Sequence, residues 1–142
     1  MQFLHFGMKV DDIEASSRLF GSLLGISWEP VKEYALELDF AGQLESGRTL
    51  VTHGLTESGV EIEMVQAVSG RSPDTEVLGV GEGVSHVAYQ VDDLAASMTW
   101  AERAGLSVLC SYDSEQVDFA FFNGPGLGGI LLQLVQFHGA RA

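Results

Sequence analysis

The chain is poor in cations, in cysteine and in proline. Its 142 residues include 7 Lys and Arg against 20 Asp and Glu, a formal net charge of −13. Binding to nucleic acid or to an anionic membrane needs clustered basic side chains, so both partner classes are excluded. The acidity instead serves solubility. One cysteine, Cys110, sits in the apolar stretch Leu106-Ser107-Val108-Leu109-Cys110. It cannot close an intrachain disulfide, which fits a reducing compartment, and its surroundings predict a buried, inert thiol. No apolar run reaches bilayer-spanning length, and no basic leader precedes Phe3, so a cytoplasmic protein is expected. With 46% hydrophobic residues the chain can bury the core of one domain.

What the chain has is a repeat. His5-Phe6-Gly7-Met8-Lys9-Val10-Asp11-Asp12-Ile13 returns as His86-Val87-Ala88-Tyr89-Gln90-Val91-Asp92-Asp93-Leu94. A second echo joins Glu61-Ile62-Glu63-Met64-Val65-Gln66 to Leu131-Leu132-Gln133-Leu134-Val135-Gln136. Internal repetition fixes architecture better than any single motif. Each copy carries polar residues in matched places: His5 with His86, and Glu63 with Gln133. Two related halves bring these four side chains around a pseudo-two-fold axis.

Local patterns give the elements. A strand over Phe3–Val10 runs into a helix over Ile13–Leu24, with Asp11 or Asp12 as N-cap and Gly25 as stop. Ile26–Trp28 starts a strand that Pro30 interrupts. Tyr34–Phe40 alternates as a half-buried strand. Thr49–Thr52 and Val60–Ala67 are further strands. The second half repeats the order: strand Val84–Val91, helix Leu94–Ala104, then strands Ser107–Tyr112, Val117–Phe122 and Gly129–Phe137. Residues 69–83, rich in Ser, Gly, Pro and acids, read as the linker. Gly124–Gly129 precedes a strand, not a helix, and reads as a turn, not a phosphate loop. Residues 139–142 read as a frayed tail. The expected fold is α+β: two βαβββ modules, 1–68 and 84–138, in one domain spanning 1–142. They form a curved mixed sheet with helices on the convex side and a concave, partly polar trough.

These residues resemble the vicinal oxygen chelate superfamily, the glyoxalase, bleomycin-resistance and dioxygenase fold. The carriers are the His-x4-Val-Asp-Asp junctions at His5 and His86, Leu23-Leu24-Gly25, the two closing strands, and Phe119-Ala120-Phe121-Phe122. In metal-dependent members each module supplies one ligand from its first strand and one from its fourth. The resemblance therefore implies His5, Glu63, His86 and Gln133 as metal ligands. Strand parity agrees, because the neighbours Leu4, Phe6, Ile62, Met64, Val87, Leu132 and Leu134 are all apolar. Two imidazoles, a carboxylate and an amide oxygen suit Zn, Ni, Co, Mn or Fe(II).

A glyoxalase I would carry Glu where this chain has Gln133, as would a ring-cleaving dioxygenase. Methylmalonyl-CoA epimerases use two His, one Gln and one Glu, the composition found here with Gln and Glu exchanged between halves. The implied function is a metal-dependent lyase, isomerase or epimerase acting on a small carbonyl compound through a metal-stabilised enolate. Glu63 or Glu61 would be the base. Two alternatives stand beside it: a metal-free binding or resistance protein for an antibiotic or polyketide-like compound, and an Fe(II) dioxygenase. A CoA thioester is the natural substrate by analogy, and the shortage of Lys and Arg counts against it. Lys9 and Gln90, repeat mates beyond the histidines, are candidate substrate contacts, as are Glu37 and Asp39. His53 is expected at the pocket edge, and a homodimer is expected by analogy.

Overall fold

The structure is a computed structural model and describes residues 1–139. Residues 140–142 of the expected tail lie outside the described residues. The elements run β1 (Gln2–Lys9), α1 (Ile13–Leu24), β2 (Ser27–Trp28), β3 (Lys32–Phe40), β4 (Gln43–Leu55), β5 (Glu61–Gly70), α2 (Pro73–Leu78), β6 (Gly83–Gln90), α3 (Leu94–Arg103), β7 (Ser107–Tyr112), β8 (Val117–Asn123) and β9 (Leu131–Phe137).

The repeat motif is a strand-to-helix junction built twice. Val10 donates its N–H to Val65, and Val91 donates to Val135, both at 2.9 Å. Asp12 and Asp93 then cap the helices by accepting from the N–H groups of Ala15 and Ala96. The freed donors of Ile13 and Leu94 go to the side-chain oxygens of Gln66 and Gln136. Val-Asp-Asp and the distant Gln are thus one device: together they meet the unpaired amides at each helix start. Leu94 and Ala101 of α3 pack on Ala120, Phe122 and Leu134, while Ile13 of α1 packs on Val10 and Met64.

The strands follow the order β2-β4-β3-β7-β8-β9-β6-β1-β5, and β4 also pairs with β5, so the mixed sheet closes on itself. β2 and β3 flank the same edge of β4, interrupted near Pro30. The modules join through antiparallel β1–β6 at one seam and β3–β7 at the other. β4 is far longer than the strand expected over Thr49–Thr52. Its first half, Gln43–Arg48, shows no apolar alternation, but β3 takes its backbone groups across a tight turn at Ala41-Gly42. The segment 69–83 is also more than a connector. Ser72 caps α2, Pro73 opens it, and α2 packs against β6, β1 and β5. No helix among the described residues is long and apolar enough to cross a membrane. Cys110 is fully buried, and burial pushes its thiol up to about 12, with Asp74 adding to the effect.

Candidate metal centre

Both histidines stand beside a β-bulge. On β1 the register steps from Phe3↔Tyr89 to His5↔Ala88, leaving Leu4 as the extra residue. On β6 it steps from Gly7↔His86 to Met8↔Val84, leaving Ser85 extra. Leu4 and Ser85 occupy the same place in the repeat. A bulge re-aims its neighbours, so Leu4 and His5 both line the cavity, and Ser85 and His86 are both buried. Each histidine lies across from the small residue of the other copy, His5 from Ala88 and His86 from Gly7.

The pseudo-two-fold axis brings donor atoms together. The two Nε2 atoms lie 3.3 Å apart. Glu63 reaches both: Oε2 is 3.5 Å from His5 Nε2 and Oε1 is 3.4 Å from His86 Nε2. One donor atom from each of His5, Glu63 and His86 falls within 4.8 Å of the others. His53, the cross-strand partner of Glu63, adds a third imidazole, with Nε2 3.0 Å from Glu63 Oε2. Glu61 Oε2 lies 3.6 Å from His5 Nδ1. Gln133 lines the same cavity, and its Oε1 is buried without a hydrogen-bond partner.

Charge within the cluster is set by pairing. Burial alone would raise the Glu63 carboxyl. Hydrogen bonds with His53 and His86, and the nearby charge of His5 and His86, reverse that and hold it well below the usual carboxylate range. Burial also disfavours a charged His86. Hydrogen bonds to Asp74 and Glu63, with the charge of both, push His86 up to about 10. His53 is raised as well, because Glu63 outweighs its burial.

His86 is oriented from behind. Its Nδ1 is 2.9 Å from Ser85 Oγ and 3.3 Å from Asp74 Oδ1, and Ser85 Oγ donates to Asp74. With the carboxylate and the hydroxyl as acceptors, the proton belongs on Nδ1, and Nε2 is left facing His5 and Glu63. A carboxylate behind a metal-binding imidazole fixes its tautomer and raises its basicity. Phe121 meets the ring edge-on at 5.3 Å between centroids. Gly7 leaves the space the ring fills, since a Cβ there would stand 1.9 Å from His86 Cε1. The residues therefore fit a divalent ion on three grounds: the donor chemistry, an orphaned amide oxygen, and a cradle cut for one imidazole.

Sequence reasoning missed Asp74, Ser85 and the role of Gly7. Asp74 lay in a segment whose composition read as a linker, and no periodicity marked it as buried. We expect Asp74→Asn to leave the fold intact and to weaken metal binding about 10–100-fold. Competition titration with a chromogenic chelator measures this, and wild-type affinity in the variant would remove Asp74 from the account.

The structure places the expected substrate contacts away from the cavity wall. Lys9 is buried and its Nζ donates to Gly81 O at 2.9 Å. Gly81 follows α2, and Lys9 is not among the residues that line the cavity. Gln90 lies beside Gln2, at a separate surface depression with Met1 and Asp92. Glu37 and Asp39 alternate with Leu36 and Leu38, and it is the leucines that line the cavity. Glu37 is exposed, and Asp39 Oδ1 accepts from Gly42 N in the β3–β4 turn.

The comparisons agree with this architecture. Residues 4–121 match the family model described as the Glyoxalase/Bleomycin resistance protein/Dioxygenase superfamily. No curated protein matches by sequence. Among solved structures, methylmalonyl-CoA epimerase from Mycobacterium tuberculosis superposes with a TM-score of 0.65 at 15% identity, covering 97% of this chain and 89% of that one. A hypothetical protein from Bacillus halodurans gives 0.72 at 16% identity, with 99% and 97% covered. A mutant of 4-hydroxymandelate synthase from Streptomyces coelicolor gives 0.65 at 14% identity. This chain is 99% covered there and spans 50% of that protein. Duplicated strand–helix junctions, a closed sheet of paired βαβββ modules and a family match over most of the length lead to one conclusion: the chain belongs to the glyoxalase, bleomycin-resistance and dioxygenase superfamily, the vicinal oxygen chelate proteins.

Proposed function

We propose that the protein is a metal-dependent isomerase or lyase that moves a proton at the carbon beside a carbonyl group. The observation that supports this most is the convergence of His5, His86 and Glu63, from both repeats, within 4.8 Å. His86 presents Nε2 to that point because Asp74 and Ser85 occupy Nδ1. His5, Glu63 and His86 would hold a divalent ion, with Gln133 Oε1 as the fourth donor. Bound there, the ion supplies Lewis-acid polarisation of a carbonyl oxygen.

The chain's own groups divide the remaining work. Glu63 is committed to three imidazoles and stays ionised, so it serves as ligand. Glu61 shares its face of β5 two residues earlier, lines the cavity and lies 3.6 Å from His5 Nδ1, whereas Glu63 meets His5 and His86 at Nε2. A Glu61 oxygen is therefore the group that accepts the substrate proton and returns it. Leu4, Val65 and Val135 give the cavity apolar walls beside that transfer.

The test compares Glu61→Gln with Glu63→Gln. Deuterium exchange at the carbon beside the carbonyl is followed by NMR on acyl thioesters, hemithioacetals and aryl methyl diketones. Glu61→Gln should lose exchange about 100-fold or more while keeping its metal, and Glu63→Gln should lose both. Full exchange by metal-loaded Glu61→Gln would exclude Glu61 as the base.

A further inference from the structure

The cavity has a one-sided charge balance. Its volume is about 540 Å³, within the range of small-molecule sites. Glu29, Glu61, Glu63 and Asp74 supply its negative charge, the lining His53 is paired with Glu63, and Arg71 is the one Lys or Arg among the described lining residues. That guanidinium is already committed. Nη1 donates to Glu45, Nε donates to Glu76, and its carbon lies 4.1 Å from the centroid of the Phe40 ring. Lys9 is tied to Gly81 O off the wall, and Arg48 is paired with Glu33 at 2.7 Å. The lining Arg71 and His53 are each already paired with carboxylates, so a phosphate or distal carboxylate would have to break such a pair, and burying an unpaired anion beside these carboxylates is costly.

The apolar wall has a direction. Along β8 and β9 the cross-strand pairs are Phe121↔Gln133, Phe119↔Val135 and Val117↔Phe137, and all six residues line the cavity. Gln133 stands at the donor cluster. One two-residue step along the strands, about 7 Å, leads to Phe119, which stands T-shaped to Phe121 with 5.7 Å between centroids. Leu36 and Leu38 line the cavity from β3. A ring bonded directly to a carbonyl carbon spans that step and meets aromatic edges and faces, the geometry such pairs favour.

We infer that the cavity takes an uncharged aryl carbonyl compound, its carbonyl at the donor cluster and its ring on Phe119, and not an acyl-CoA or other phosphate-bearing substrate. The carbonyl's placement rests on the metal reading above. The apolar and charge argument does not.

The experiment is calorimetric titration of the full chain, zinc-loaded and chelator-stripped, with methyl phenyl diketone, its para-carboxylate and propionyl-CoA. The neutral diketone should bind at least about tenfold more tightly than either anion in both forms, with zinc tightening it further. Phe119→Leu should weaken the diketone, and Val117→Lys should recover the para-carboxylate, showing that charge alone rejected it. Equal or tighter binding of the para-carboxylate or of propionyl-CoA by the zinc-loaded protein would overturn the inference, as would no diketone binding in either form. If the diketone is preferred but zinc has no effect on it, the ligand class stands and the metal reading fails.

Discussion

Replacing Gly7 by Ala should weaken divalent-metal binding about 100-fold or more without deleting a single donor atom. The added Cβ would stand 1.9 Å from His86 Cε1 and 2.3 Å from Nε2, far inside contact distance. The imidazole has nowhere to slide. Phe121 meets one side of the ring, and Asp74 and Ser85 hold Nδ1. Either the ring swings out of the cluster or β1 and β6 separate, and both remove His86 from the centre. A four-donor zinc site is worth about 10–16 kcal/mol, so one donor carries roughly 2.5–4 kcal/mol, on the order of 100-fold or more in affinity. The overpacked core costs a further ~1–3 kcal/mol of stability. Isothermal titration with zinc gives the first number and thermal denaturation of the stripped protein the second. His5 faces Ala88 at the equivalent place and tolerates a Cβ there, so the effect belongs to His86. Wild-type zinc affinity in Gly7→Ala would show that His86 is not a ligand.

Metal affinity should rise steeply with pH. His86 must give up its proton to bind, and in the metal-free protein it is held up at about 10 by Asp74 and Glu63 against the opposing effect of burial. Below that value each pH unit should raise the apparent affinity about tenfold, one proton exchanged per ion. From pH 6 to 9 the gain is about 1,000-fold, measured by competition with a chelator of known protonation. The metal-free protein has the opposite dependence. A histidine whose folded value is raised above its ordinary 6.5 stabilises the fold fully below that ordinary value. The contribution disappears as pH climbs through about 10. The stripped protein should therefore lose thermal stability between these limits while the loaded protein gains. A flat affinity profile across this window would mean that no buried imidazolium is displaced.

The repeat made much of this legible. His5, His86, Glu63 and Gln133 stood out because duplication placed unlike polar residues at like positions, and the Val-Asp-Asp junctions marked both helix starts. The closed sheet was harder to see. Gln43–Arg48 has no alternation of its own, and only pairing with β3 makes it a strand. Strict parity also erred locally. The bulge at Leu4 turns an apolar neighbour of His5 into the cavity. Gly81, after α2, holds the Lys9 ammonium that parity alone would place at the mouth. Asp74 was invisible for a physical reason: a buried carboxylate is recognised by its partner, here a histidine twelve residues on, and no periodicity records that partnership.

The most direct test is elemental mass spectrometry of the protein purified without a chelating tag, beside His86→Ala. The account predicts close to one transition-metal ion per chain in the wild type and almost none in the variant. A wild type that stays empty after reconstitution with Zn, Ni, Co, Mn and Fe(II), or a His86→Ala variant that keeps its ion, would contradict it.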